Sequence, residues 1–196
     1  ARRRSASVEL VTRSSFSFLA GASSPEALVR TAAALGYDTL GVCDLHGLYG
    51  MVRAHEEAKK LGVRLVVGAE LVCPLGVSGS LGARHVHVAV HVASHEGYKS
   101  LCRILSQAHA LRPRDERGKA EVMLSHLAEH ARGLYVTLLD SEPEAGREAA
   151  AMLAQTFGAR ASVAATVGLD GHDRERMSAA EDLSHTFALP MLTTNH

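Results

Sequence analysis

The chain has no tryptophan, and only four phenylalanines and four tyrosines in 196 residues. That is too few aromatics for a platform on which successive nucleic-acid bases could stack. Its three cysteines, Cys43, Cys73 and Cys102, are odd in number and widely spaced. They form no CxxC pair and no disulfide framework, which fits a reducing cytoplasm. No apolar run approaches the roughly 18–20 residues that a membrane-spanning helix needs, so no membrane partner is expected. The basic start, Arg2 to Arg4, is followed by no signal-peptide core, and residues 1–7 read as a flexible basic tail. Charge of one sign is not in excess either: 21 Lys and Arg balance 21 Asp and Glu. Global charge therefore gives no argument for a nucleic-acid or membrane surface, and any DNA contact must come from a local patch or from another part of a longer protein. There is no initiator methionine, as expected of a processed or cut piece, and no internal repeat.

What is present is an ordinary apolar content, 46%, rich in Ala, Val, Leu and Gly, and a length sufficient for one domain with a real core. Short apolar runs alternate with amphipathic helical patterns. Strands are expected over 8–11, 39–43, 64–67, 84–92, 133–139 and 161–167, with a last one over 190–194. Helices are expected from Ser24 (N-cap) with Pro25 at the first position to a stop at Gly36, then over 51–61, 97–111, 124–130, 144–157 and 173–187. The segments 72–83 and 112–119 read as a Gly/Ser/Pro-rich connection and a charged loop. Phe16, Phe18 and Leu19, in the loop 14–24, are apolar and are expected to plug one end of the domain. The β-α alternation indicates an α/β domain built on a barrel or open parallel sheet over residues 8–196.

In such folds chemistry is assembled at the C-terminal ends of strands. Those ends carry Phe-Ser-Phe-Leu-Ala-Gly-Ala-Ser at 16–23, Asp-Leu-His-Gly-Leu-Tyr-Gly at 44–50 and Gly-Ala-Glu at 68–70. Glu-Gly-Tyr-Lys-Ser-Leu-Cys-Arg-Ile-Leu-Ser at 96–106 and Leu-Pro-Met-Leu-Thr-Thr-Asn at 189–195 follow in order. Together these segments resemble the PHP (polymerase and histidinol phosphatase) domain at the N-terminus of bacterial C-family DNA polymerases, of the polymerase III alpha-subunit type and its error-prone branch.

The resemblance implies a distorted parallel (β/α) barrel, ending here before the family's last motif is complete. It also implies a rim of His, Asp and Glu that holds divalent metals for phosphoester hydrolysis. The sequence departs from that rim. Val11 and Arg13 stand at the two histidines of the opening His-x-His-Ser motif, Ala20 at a usual acid, and Leu45 at the histidine of an Asp-His pair. Asp44 and Glu70 match retained ligands, His87 matches a family histidine, and His196 falls near the last motif. These four are vestigial metal candidates.

Arg13 carries a permanent charge that could fill the vacated metal space and neutralise leftover carboxylates. Asp44 and Glu70 could instead cap strand-end N–H groups. His85, His87 and His91 share one strand face, either as a residual zinc site or as the lining of a polar rim. Cys43 reads as a small buried residue rather than a reactive thiol. Phe16, Phe18 and Tyr49 read as core or rim packing rather than base stacking, and the basic run Arg112, Arg114, Arg117 and Lys119 as a solvated loop.

The expected function is therefore a non-catalytic, structural or subunit-docking PHP domain of a cytoplasmic error-prone polymerase. No cofactor is expected, with a residual zinc or manganese ion as the exception. Expected partners are the rest of the polymerase chain, DNA through other domains, and other replication or translesion subunits. The alternatives are a metal-dependent phosphoesterase or 3′-5′ exonuclease using a reduced ligand set, and a free-standing interaction module.

Overall fold

A computed structural model of the chain describes residues 8–75, 84–110, 120–139 and 141–194. The tail 1–7, the charged loop and His196 lie outside the described residues. Contacts divide the chain into two units, the first reaching to Glu70 and the second starting at Leu71.

In the first unit β1 (Glu9–Thr12), β2 (Thr39–Leu45) and the opening half of β3 (Arg64–Leu75) run parallel, connected by α1 (Pro25–Leu35) and α2 (Met51–Leu61). Ser24 caps α1 by accepting the Ala27 N–H at 3.2 Å, and Pro25 follows at the first helical position. Gly36, at φ 87°, closes the helix by donating to Ala32 and Ala33, a left-handed geometry that glycine adopts without steric cost.

Even-numbered Leu40 and Val42 of β2 pack with Val29, Ala32, Met51, Ala54 and Ala58 of the two helices. The alternate residues of β2 point to the opposite face. Each buried Leu, Val or Met side chain here is worth about 1.5–3 kcal/mol, and each alanine methyl less than about 1 kcal/mol. β2 pairs with β3 residue for residue, without a break, from Thr39↔Arg64 to Leu45↔Glu70. β1 is different: Glu9↔Leu40 and Thr12↔Val42 match three steps of β1 to two of β2. The extra residue is a bulge that re-aims the side chains after it.

The second unit holds the rest of β3, β4 (Arg84–Val92), α3 (His95–Ala110), α4 (Leu124–Glu129), β5 (Leu134–Leu138), α5 (Pro143–Phe157), β6 (Ala161–Thr166), α6 (Asp173–Phe187) and β7 (Met191–Thr194). β5, β6 and β7 are parallel neighbours, whereas β4 lies antiparallel to β5, with His91 opposite Tyr135. The parallel order is therefore interrupted at β4.

β3 also runs to Leu75, through residues expected in a loop, because Leu71, Cys73 and Leu75 alternate into a buried face. Phe18 and Leu19 do not plug an end of the domain: they are 84% and 93% exposed.

Candidate functional site

The strand ends of the first unit carry two separate clusters, and register explains why there are two. Paired residues on neighbouring strands share a face, and successive residues alternate. Leu45 pairs with Glu70 and Cys43 with Gly68, so Glu70 lies on the face of Cys43. Asp44 pairs with Ala69 and lies on the face of Leu40 and Val42, toward α1 and α2. Carrying the register of Thr12↔Val42 one and two residues further sets Arg13 beside Cys43 and Ser14 beside Asp44.

The side chains pair accordingly. On the first face, Arg13 Nε donates to Glu70 Oε2 and Arg13 Nη2 to Glu70 Oε1, both at 2.6 Å. The carboxylate has no exposure and the guanidinium side chain is 23% exposed. A planar fork against a carboxylate makes the most favourable geometry available to this pair, and it compensates a charge that would otherwise be costly to bury. Val11, at the other position where the resemblance implies a histidine, is buried and apolar. Burial, then the charges of Glu70, Asp44 and Glu9, push the Cys43 thiol well above its ordinary range, which makes it a poor nucleophile.

On the second face, Asp44 is fully buried and accepts three bonds, all at 2.7 Å: from the Ser14 N–H, from Ser14 Oγ and from Ser17 Oγ. Ser17 Oγ in turn accepts the Leu45 N–H, and Ser14 Oγ accepts the Phe16 N–H. The carboxylate thus ties the loop after β1 to the end of β2. Gly21 closes that loop, since a Cβ there would stand 2.0 Å from the Ser14 carbonyl oxygen. Ser14 and Ser17 were not singled out from the sequence. The signal that could have found them is the serine spacing opposite an acid at the next strand end.

The remaining candidates lie elsewhere. His87 is a half-buried residue of β4 in the second unit, whose carbonyl accepts the Leu139 N–H. His85 reaches Glu121 at 3.2 Å, and His91 is buried. The six residue steps from His85 to His91 extend over about 20 Å, too far for one ion. Among the described residues no group of three or more His, Cys, Asp or Glu is placed to hold a metal ion. The metals implied by the fold family do not fit these residues: a guanidinium occupies both oxygens of Glu70, and Asp44 lies on the opposite face with three hydrogen bonds already made to Ser14 and Ser17.

A family model described as "PHP domain" matches residues 9–184. Among curated proteins, the error-prone DNA polymerase of Anaeromyxobacter dehalogenans (strain 2CP-C) is 39% identical over 193 residues, covering 95% of this chain and 16% of that protein. The error-prone DNA polymerase of Mycolicibacterium paratuberculosis is 38% identical over 202 residues, covering 95% of this chain and 18% of that protein. The chain thus spans less than a fifth of the length of the curated relatives it matches.

Among solved structures, a Bifidobacterium adolescentis protein described as a candidate metal-dependent phosphoesterase superposes with a TM-score of 0.63 at 13% identity, over 95% of this chain and 86% of that one. A two-domain Bacteroides vulgatus protein containing a predicted PHP-like metal-dependent phosphoesterase gives 0.61 at 14% identity, over 96% of this chain and 51% of that one. These likenesses show the fold, a distorted α/β barrel type, as the sequence led one to expect.

Proposed function

The chain belongs to the PHP domain family, and we propose that it is the PHP portion of an error-prone DNA polymerase in which the ancestral hydrolytic site has become a structural one. The observation that carries this reading is the Arg13–Glu70 clamp. A divalent cation at Glu70 would have to displace a guanidinium already bonded to both carboxylate oxygens. The two acids matched to family ligands also lie on opposite faces of one strand pair. Hydrolysis of a phosphoester by this chemistry needs a metal to activate water and neutralise charge, so the domain's contribution is to shape and support, with no cofactor of its own. Nucleotide addition to DNA belongs to the remainder of the longer chain, and other replication or translesion subunits are candidate partners. The setting is the cytoplasm, and among the described residues no helix is long and apolar enough to cross a membrane.

The test uses the protein encoded by the complete reading frame. Primer extension is expected, whereas hydrolysis of a chromogenic phosphate monoester and trimming of a 3′ end in the presence of Mn2+ or Zn2+ are not. Metal-dependent hydrolysis that disappears in an Asp44→Ala or Glu70→Ala variant, with stoichiometric metal in the purified protein, would overturn the structural reading. It would favour a reduced-ligand phosphoesterase.

A further inference from the structure

We propose that the Ser14–Gly21 loop is a docking surface, braced from below by Asp44, and that its occupant is an apolar face of the polymerase portion of the same chain. The inference rests on the reading under Proposed function and names the partner of that structural site.

The loop is built rigidly. Beyond the three bonds to Asp44, the Ser17 N–H donates to the Ser14 carbonyl, the Ala20 and Gly21 N–H groups donate to the Ser17 carbonyl, and the Ser15 N–H donates to the Ser23 carbonyl, all between 2.8 and 2.9 Å. Yet what this frame presents outward is apolar: Phe18 and Leu19 are 84% and 93% exposed. Leu19 is also held at φ 63°, a left-handed backbone that a branched aliphatic residue adopts only at a cost. A loop free to choose would turn these two side chains inward. One pinned by a buried carboxylate with both facing water is shaped for a surface that covers them.

Phe16, the third large apolar side chain of the loop, is 38% exposed and packs at the start of α2. The Phe16 ring lies against Gly50 and beneath the Arg53 guanidinium, 6.0 Å from its centroid. Nearby in sequence, Tyr49 and Val52 are also largely exposed.

The size of the patch selects the occupant. Phe18 and Leu19, even with Phe16, Tyr49 and Val52 added, are far fewer than the roughly 20–30 residues a side that independent partners bring to a stable interface. A tethered surface needs far less, because the linkage supplies a high effective concentration. In the relatives more than four-fifths of the protein lies outside the matched segment, so such a tethered surface exists in proteins of this kind.

The experiment is maleimide labelling of a Leu19→Cys variant of the full-length protein, read by mass spectrometry of the peptide that contains the new thiol. At least tenfold slower modification in the native protein than in urea, unchanged on dilution, is the expected result. Smaller protection, or protection that fades on dilution as it would for a second copy, overturns the proposal. Phe18→Cys supplies the same readout should the first variant misfold. Primer extension by the same preparation separates the two claims: an active polymerase whose introduced thiol is freely labelled loses only the docking surface, and a reading frame without a polymerase portion removes both.

Discussion

Arg13 and Glu70 meet fork to fork on one face of the β1–β2–β3 ribbon, with both contacts at 2.6 Å, while Asp44, one residue beyond Cys43, bonds to Ser14 and Ser17 on the other face. The two acids that the sequence resemblance matched to retained ligands are thus divided between two jobs. One neutralises the guanidinium of Arg13. The other organises a loop. Both follow from the pleat: once β2 and β3 pair without a break, Asp44 and Glu70 must alternate.

Removing the guanidinium leaves a fully buried carboxylate without its counter-charge. Breaking such a pair costs about 3–5 kcal/mol when both partners are buried. The exposed edge of Arg13 lowers the expectation for Arg13→Ala to about 2–3 kcal/mol, measured by urea denaturation. Arg13→Lys should fall between the two, since it keeps the charge and loses the fork. Adding Glu70→Gln to Arg13→Ala should recover part of the loss, with a coupling of at least about 1 kcal/mol in the double-mutant cycle. A coupling near zero would show that the clamp does not contribute.

Asp44→Ala strands one backbone N–H and two hydroxyls in a buried setting. Each hydrogen bond to a charged group contributes about 1.5–3 kcal/mol, and their losses overlap, so a total of about 3 kcal/mol is expected. The more specific readout is hydrogen exchange. Peptides covering 14–21 should exchange faster in Asp44→Asn while α1 stays protected, because Ser24 and Pro25 nucleate that helix independently of the loop. Equal exchange in the loop of both proteins would remove Asp44 from its role as brace.

Much of this is legible in the residues. Ser24, Pro25 and Gly36 mark α1 by local capping chemistry alone, and the helix lies where they put it. The resemblance sets Arg13 among the leftover acids, and the structure has it on Glu70. What local patterns do not carry is register. The face of Asp44 depends on strand pairing with residues 25 positions away, and the bulge in β1 shifts every side chain after it. The antiparallel seat of β4 is likewise a pairing choice, invisible in its Val/His alternation. Phe18 and Leu19 depart from expectation because apolar side chains ordinarily seek the interior, whereas a bonded frame holds these two outside.

Thiol chemistry should separate the cysteines. Cys43 is raised by burial and by the charges of Glu70, Asp44 and Glu9, and burial pushes Cys73 up to about 12. Cys102 is only half-buried on α3. At pH 8 a disulfide reagent such as DTNB should therefore modify Cys102 in the native protein, with Cys43 and Cys73 reacting only after denaturation. Native modification of Cys43 would place a reactive thiol at the strand end and revive the alternative reading of that residue.

The start of α6 is the place where acid should be felt first. Hydrogen bonding from Arg176 holds Asp170 well below the ordinary carboxylate range, and the Gly168 N–H, followed by Arg176 and the Leu169 N–H, lowers Asp173. Both carboxylates bond the guanidinium of Arg176, which also donates to the Thr166 carbonyl at 3.0 Å. Because the folded-state values are depressed, this cluster stabilises the turn fully above the unfolded value, 3.8. That contribution fades as pH falls through the lower folded values. Between pH 5 and pH 2, the amide resonances of Gly168 and Leu169 should titrate with midpoints below 3.8. Arg176→Gln should move those midpoints upward, toward the unfolded value, without shifting amides in β5. Midpoints at or above 3.8 in the unsubstituted protein, or midpoints indifferent to Arg176, would mean that the cluster is a solvated acidic surface rather than the lock that fixes where α6 begins.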